Sequence, residues 1–268
     1  MDSLSLTLIL LAAFVHVLPH VLLKGVEERG AFVWWMLAVN VVLYAPVLLL
    51  GPVPNAAWPY ILASGAVEAV YIFTLSRAYA TGDVSVVYPL ARGSSPMFLL
   101  AFATLVLREP ITIAGVVGVA LIAIGILLGA RMRWNGWALL SGAAIATYTT
   151  IDKAASPLVH PLPYIYLVLL VNLLIYTPFM RMETIRATWN AARWRIVIAA
   201  ATAPMAYVLV LTAMRRGALA SYAGAIREVS VVVAAIAGVV IFRERAGIER
   251  VIGAIVIVAG VVVIALRG

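Results

Sequence analysis

Residues 107–125 of this chain read LREPITIAGVVGVALIAIG, and residues 242–260 read FRERAGIERVIGAIVIVAG. A shift of 135 positions aligns the Arg-Glu pair and two glycines of each stretch, and it also aligns Arg92 with Arg227. The chain therefore contains one sequence unit twice, and we place the two copies at residues 1–131 and 132–268. A slightly different shift upstream matches three further pairs, namely Asn40 with Asn172, Tyr44 with Tyr176 and Pro46 with Pro178.

The composition places most of the chain in lipid. Of its 268 residues, 65% are hydrophobic and only 11% are charged, with a mean hydropathy of +1.10, whereas a soluble domain is about 25% charged. The net charge of +8 comes from residues between apolar stretches, so we interpret it as a determinant of membrane orientation and expect no nucleic-acid partner. The absence of cysteine excludes disulfides, thiolate metal sites and a cysteine nucleophile.

Ten stretches are long and apolar enough to cross the hydrocarbon core of a bilayer, which takes about 20 residues of helix. They are residues 4–23, 32–50, 58–80, 84–107, 111–130, 137–155, 162–180, 194–214, 219–242 and 248–266. The sequence thus predicts an all-α integral membrane protein with ten transmembrane helices, five in each copy. Because five is odd, the second copy enters the membrane from the opposite side, so the copies form inverted repeats. Such repeats are typical of secondary transporters.

The basic residues give one indication of the side of the membrane that holds the termini. With cytoplasmic termini, most of the basic residues would lie in outer loops, including the long polar connection 181–193. The positive-inside tendency therefore favours both termini outside.

The repeats and their Arg-Glu turns resemble the EamA family of the drug/metabolite transporter superfamily. The resemblance is carried by YPLARGSSP at 88–96 and LREP at 107–110 in the first copy, and by REVS at 227–230 and FRER at 242–245 in the second. It implies a ten-helix carrier in which helices 1–4 and 6–9 surround a central cavity while helices 5 and 10 pack at the side. Members move amino acids, metabolites or drugs, commonly as exporters, and usually have cytoplasmic termini.

Charged residues inside membrane helices are costly and are therefore functional-site candidates. Glu68, in the third stretch, is a candidate for proton coupling, with a structural partnership to an arginine as the alternative. Arg92 and Arg227 could hold a carboxylate or phosphate in fork geometry. They could instead form ion pairs, for example Arg92 with Glu68 or Glu228, or extend towards the interface.

Two histidines and several tyrosines complete the predicted site. His16 and His20 lie on one face of the first helix, where they could line a cavity or relay protons. Because no third ligand is evident, we expect no metal there, and the sequence indicates no cofactor. Aromatic walls with polar tips suit an amphipathic organic solute, and the tyrosines expected to form them are Tyr71, Tyr88, Tyr148 and Tyr207.

The sequence thus predicts a secondary active transporter, and not an enzyme, for a small organic solute such as an amino acid, metabolite or drug-like compound. We expect an exporter that works by alternating access in a prokaryotic plasma membrane, with proton coupling through Glu68 as a hypothesis. The alternatives are a uniporter or exchanger of an anionic metabolite, and a membrane enzyme acting on lipid-linked substrates. Its expected partners are the solute, the lipid bilayer and protons, and the chain is expected to be a monomer or a weak homo-oligomer.

Overall fold

The computed structural model describes residues 1–23, 26–81, 84–128, 134–242 and 247–268. Its regular elements in these ranges are all helical. The α-helices are α1 (Ser3–Leu23), α2 (Arg29–Tyr44), α3 (Trp58–Thr81), α4 (Val84–Leu105), α5 (Ile113–Leu128), α6 (Gly136–Ala155), α7 (Pro161–Tyr176), α8 (Met182–Arg215), α9 (Ala220–Arg227), α10 (Val229–Phe242) and α11 (Ile248–Arg267). This confirms the all-α membrane class.

Seven helical segments in the described ranges are long and apolar enough to cross a membrane. They are Ser3–Leu23, Arg29–Leu50, Asn55–Thr81, Pro161–Phe179, Met182–Arg215, Ala220–Ala237 and Ile248–Arg267. The helix α5 is also apolar but shorter. The helices α4 and α6 have 22 and 20 residues, yet they carry polar side chains at buried positions, such as Ser95 and Asp152. Their polarity therefore faces the protein interior, and this is what lowers their hydropathy.

The helices α2 and α7 end in the same way, because each has a matched proline near its end. Residues Ala45–Leu50 after α2 and Thr177–Phe179 after α7 form 3-10 turns, with Pro46 and Pro178 near their starts. Proline lacks the N–H that would continue an α-helix. The predicted helices 32–50 and 162–180 are thus α-helical only in their first parts.

The predicted polar connection 181–193 is itself helical, because its residues from Met182 onward form the start of the 34-residue helix α8. This segment has its own buried face, on which Ile185 and Ala192 are almost inaccessible. Trp35 of α2 donates a hydrogen bond to the Ile185 carbonyl over 2.7 Å and packs on Trp189 at 4.4 Å between ring centroids. A kink at Ala192, with φ −138° and ψ 17°, separates it from the apolar remainder of α8.

The stretch predicted as one helix over 219–242 is broken at Glu228. The helix α9 ends at Arg227 and α10 begins at Val229. By contrast, α4 runs without a break from Val84 to Leu105 although it contains Pro89 and Pro96. The second copy therefore differs from the first by a single turn residue at Glu228, whose backbone stays in the right-handed helical region (φ −67°, ψ −6°).

The two copies pack in a reciprocal pattern. A Cβ added at Gly118 of α5 would lie 2.9 Å from the Gly260 carbonyl oxygen of α11, and one added at Gly125 would lie 2.7 Å from that of Gly253. Exchanging the copies turns the first contact into the second, and the helices run antiparallel, as a two-fold axis perpendicular to them requires. The same exchange converts the extensive packing of α3 on α6 into that of α8 on α1.

The Arg-Glu turn joins the two copies. Arg108 adopts a left-handed conformation with φ 54°, and the buried Glu109 reaches the start of α9. There its carboxylate accepts hydrogen bonds from the Ala220 N–H, from the Ser221 N–H at 3.2 Å and from the Ser221 hydroxyl at 2.7 Å. A carboxylate just before a helix can cap that helix, but Glu109 caps a helix of the other copy. The matching Glu244 lies outside the described residues.

Candidate functional site

A cavity of about 250 Å³ lies between the two copies. Side chains from α1, α2, α3, α4, α6, α7, α8 and α9 line it, whereas α5 and α11 pack together outside its wall. This is the arrangement that the family resemblance implied. The polar or aromatic side chains of the wall are His16, Asn40, Glu68, Tyr71, Arg92, Tyr148, Asn172, Tyr207 and Arg227.

One side of the cavity holds a buried ion pair between the copies. Arg92 of α4 is 5% exposed, and its Nε lies 3.0 Å from the Oε2 atom of Glu228. Its guanidinium also lies 3.4 Å from the His16 Nε2 and donates to the Ser230 hydroxyl over 3.4 Å. Glu228 is fully buried behind Arg92 and does not line the cavity. The pairing offsets part of the cost of removing the two charges from water.

The matched Arg227 is placed differently. Its guanidinium carbon lies 5.5 Å from the centroid of the Tyr207 ring, within the range of a cation–π interaction. Arg227 is also only 5% exposed, and no described residue accepts a hydrogen bond from its buried Nε–H. It lines the cavity directly.

A fully buried carboxyl group, that of Asp152 on α6, lies behind the aromatic wall. Its Oδ1 accepts hydrogen bonds of 2.6 Å from the Ser64 and Tyr164 hydroxyls, and its Oδ2 accepts one from the Tyr207 hydroxyl. These donors come from α3, α7 and α8, so one side chain links four helices. It also fixes the ring on which Arg227 lies.

Asp152 is not among the predicted site residues, although the necessary signal was present in the sequence. Asp152 lies inside the apolar stretch 137–155, just as Glu68 lies inside 58–80. The rule that selected Glu68 applies equally to Asp152. In the sequence it looks like one of several scattered acids, because its three hydroxyl partners are distant along the chain.

Glu68 faces the cavity from α3 and accepts a hydrogen bond of 3.0 Å from the Asn172 amide of α7. Asn40, the residue that matches Asn172, is buried and lines the same cavity from α2. A polar pair matched between repeats suggests links between helices. Asn172 does link α7 to α3, and both asparagines also contribute polar groups to the wall.

The aromatic part of the wall consists of three tyrosines packed edge to face. The Tyr148 ring centroid lies 6.3 Å from that of Tyr71 and 6.2 Å from that of Tyr207, in the range that favours such pairs. These rings separate the polar network around Asp152 from the cavity. They provide a rigid amphipathic surface for an organic solute.

The structure brings seven of the ten predicted site residues to the cavity wall. These are His16, Glu68, Tyr71, Arg92, Tyr148, Tyr207 and Arg227. Glu228 lies one layer further out as the partner of Arg92. The side chains of His20 and Tyr88 lie outside the part of the structure that is described, although their backbones belong to α1 and α4.

A two-copy helical membrane fold around one polar cavity defines a class of carrier-like proteins, and comparisons with known proteins identify the family. The model of the EamA-like transporter family matches residues 3–130 and again residues 132–266. This chain belongs to that family, which consists of membrane transporters of small solutes. The two matched ranges correspond to the two sequence copies.

Solved structures share the fold. One, described as "Crystal structure of protein", aligns over 98% of this chain and 96% of its own length, with a TM-score of 0.73 and 14% sequence identity. At this identity the likeness concerns the fold alone. A comparison with curated proteins finds no match.

Proposed function

We propose that this protein is a secondary active transporter that moves a small organic solute through the cavity between its two copies. The observation that carries the proposal is the wall of that cavity, to which both copies contribute polar, charged and aromatic side chains. A volume of about 250 Å³ lies just below the range of about 300–1,000 Å³ that is usual for ligand pockets. This size suits an amino acid, a small metabolite or a compact drug-like compound.

We further propose ten membrane spans arranged as inverted repeats of residues 1–131 and 132–268. The seven apolar segments would be joined by α4, α5 and α6, whose lengths are 22, 16 and 20 residues. The reciprocal antiparallel contacts between α5 and α11 support the inversion. In such a carrier the two halves rock around a fixed site, and the solute biases the two states through its different affinity for each.

The direction and the location belong to the same proposal. We propose export across a prokaryotic plasma membrane by a monomer or a weak homo-oligomer. The family resemblance supports export, and the low use of lysine relative to arginine supports a prokaryotic host.

The solute can be found by a thermal-shift screen, which detects binding whether or not transport is measured. Purified protein is heated with members of a panel of amino acids, small amines and phosphorylated metabolites, because a bound solute stabilises the folded state by mass action. A stabilising solute is then tested for exchange across proteoliposome membranes. A carrier exchanges labelled for unlabelled solute, whereas failure of every stabilising solute to exchange would contradict the proposal.

Proton coupling through Glu68 is a separate step of the proposal. Glu68 lines the cavity and has only a neutral amide as its hydrogen-bond partner among the described residues, so a proton could neutralise it when the solute leaves. We expect Glu68→Gln to abolish the response of transport to a pH gradient while solute exchange continues. The matched control is Glu183→Gln at the exposed start of α8, which should respond like the parent. An unchanged response in Glu68→Gln would remove the proton from the mechanism.

A uniporter or exchanger of an anionic metabolite is the second candidate. The guanidinium of Arg227 favours it, because this group lines the cavity and its Nε–H has no acceptor among the described residues. The pH-gradient experiment separates the two candidates, because a uniporter of this kind needs no titrating carboxyl group.

A further inference from the structure

The two matched arginines of the cavity are in different electrostatic situations. Arg92 is neutralised by Glu228, at 3.0 Å, and contacts two further polar side chains. Arg227 forms no ion pair with any described residue, and its buried Nε–H has no acceptor there. Within the described part of the chain, Arg92 therefore has a direct ion-pair partner, whereas Arg227 interacts with the carboxyl groups of the site only over longer distances.

The cause of this difference can be read from the two copies. The position that holds Glu228 in the second copy holds Gly93 in the first, 135 residues earlier. A symmetric partner of Arg227 would have to come from residue 93, and glycine has no side chain to offer. The asymmetry therefore follows from one substitution between the repeats.

The guanidinium of Arg227 is also held ready for a ligand. It lies against the Tyr207 ring, and the Tyr207 hydroxyl is fixed by the buried carboxyl group of Asp152. A guanidinium presents parallel N–H donors that match the two oxygens of a carboxylate. Because it is already buried and oriented, little of its conformational freedom remains to be lost on binding.

We propose, building on the carrier function above, that Arg227 binds the carboxylate of a monocarboxylate solute with an apolar body, and that Arg92 does not contact the solute. The planar guanidinium of Arg227 presents one fork of N–H donors to the cavity, which matches one carboxylate group. A phosphate dianion would leave excess negative charge close to Glu68, another carboxyl group of the same wall. The tyrosine rings and the aliphatic side chains Ile72, Ile165 and Leu169 accommodate the apolar body.

Four ligands that share one ring but differ in head group test this assignment. Benzoate, benzamide, benzylamine and phenyl phosphate are each titrated calorimetrically into the purified full-length protein. A hydrogen bond to a charged group contributes more free energy than a tenfold change in affinity requires. We therefore expect benzoate to bind at least about tenfold more tightly than each of the other three ligands.

Variants show whether Arg227 is responsible. We expect Arg227→Gln to lower benzoate affinity at least about tenfold and to leave benzamide affinity nearly unchanged. Glu68→Gln should raise benzoate affinity, because it removes a competing negative charge. Arg216→Gln is the control, because it deletes an equal charge from an exposed ion pair with Asp2 and should leave benzoate affinity unchanged. Thermal unfolding of each variant shows that it is folded.

Several outcomes would overturn the assignment. They are undetectable benzoate binding by the parent, equal or tighter binding of any of the other three ligands, and unchanged benzoate affinity in folded Arg227→Gln. The transport assay keeps this inference separate from the carrier function. Exchange of a solute without a carboxylate would overturn the Arg227 assignment and leave the carrier intact. Benzoate binding that needs Arg227, without exchange of any solute, would support the site and contradict the carrier.

Discussion

The hydrogen bonds from the start of α9 to Glu109 predict that this side chain contributes strongly to stability. In Glu109→Ala, the Ala220 and Ser221 N–H groups and the Ser221 hydroxyl lose their acceptor. Ala220 and Ser221 are both fully buried, so water does not readily replace the carboxylate. The substitution should therefore destabilise the contact between the two copies.

The expected magnitude follows from the lost hydrogen bonds. A buried donor without a partner costs about 1–3 kcal/mol, so the two backbone N–H groups together cost about 2–6 kcal/mol. Loss of the negative charge near the N-terminus of α9 adds about 0.3–1 kcal/mol. We expect Glu109→Ala to lower the free energy of unfolding by at least about 2 kcal/mol.

Reversible unfolding in mixed micelles, followed by circular dichroism, measures this quantity. The matched control is Glu249→Ala, which removes the same side chain from the exposed first turn of α11. We expect the control to change stability by less than about 0.5 kcal/mol. A loss below about 1 kcal/mol in Glu109→Ala, or equal losses in both variants, would refute the reasoning that the buried cap joins the copies.

Two further substitutions test the packing and the polar network. Gly125→Ala places a Cβ 2.7 Å from the Gly253 carbonyl oxygen, so it should destabilise the protein by about 1–3 kcal/mol. The control is Gly136→Ala, because a Cβ at this position has no atom within 4 Å, and it should not destabilise the protein in the same unfolding assay. Equal losses of stability in the two variants would contradict close packing of α5 on α11. Tyr207→Phe removes one of three hydroxyl donors to Asp152 and should cost about 1–3 kcal/mol. Unchanged stability in Tyr207→Phe would show that this hydrogen bond does not contribute to the free energy of unfolding.

Much of the architecture was accessible from the sequence because it depends on periodic features. The repeated glycines and the Arg-Glu pair revealed the duplication, and apolar stretches located most of the helices. The predicted stretch 248–266 agrees closely with α11, Ile248–Arg267. Both signals are local, so they do not require knowledge of the packing.

The features that the sequence did not reveal depend on distant partners. The segment 181–193 has a polar composition, and its helix is stabilised by Trp35 of another helix. Glu109 precedes α5 in the sequence, but its hydrogen-bond donors lie on α9. In both cases the sequence shows the residue but not the partner that the fold brings to it.

The candidate site shows the same division. Glu68 and the two arginines were found because a charge within an apolar stretch is conspicuous. The different states of Arg92 and Arg227 became visible only when Glu228 was located beside the first of them. The network around Asp152 depends on three hydroxyl groups from three helices, and no sequence pattern joins them.

The relation between the copies explains how a symmetric scaffold holds an asymmetric site. From α3 onward, where the shift of 135 applies, three matched pairs of positions line the cavity from both copies, namely Glu68 and Ala203, Ile72 and Tyr207, and Arg92 and Arg227. The backbones of such pairs are related by the repeat, but only the arginine pair keeps its side chain. The Glu68 carboxyl group therefore lies on the first copy, whereas the Tyr207 ring that packs against Arg227 lies on the second. A solute bound in this cavity meets different chemistry on its two sides, so the packing can be symmetric while the solute is held in one orientation.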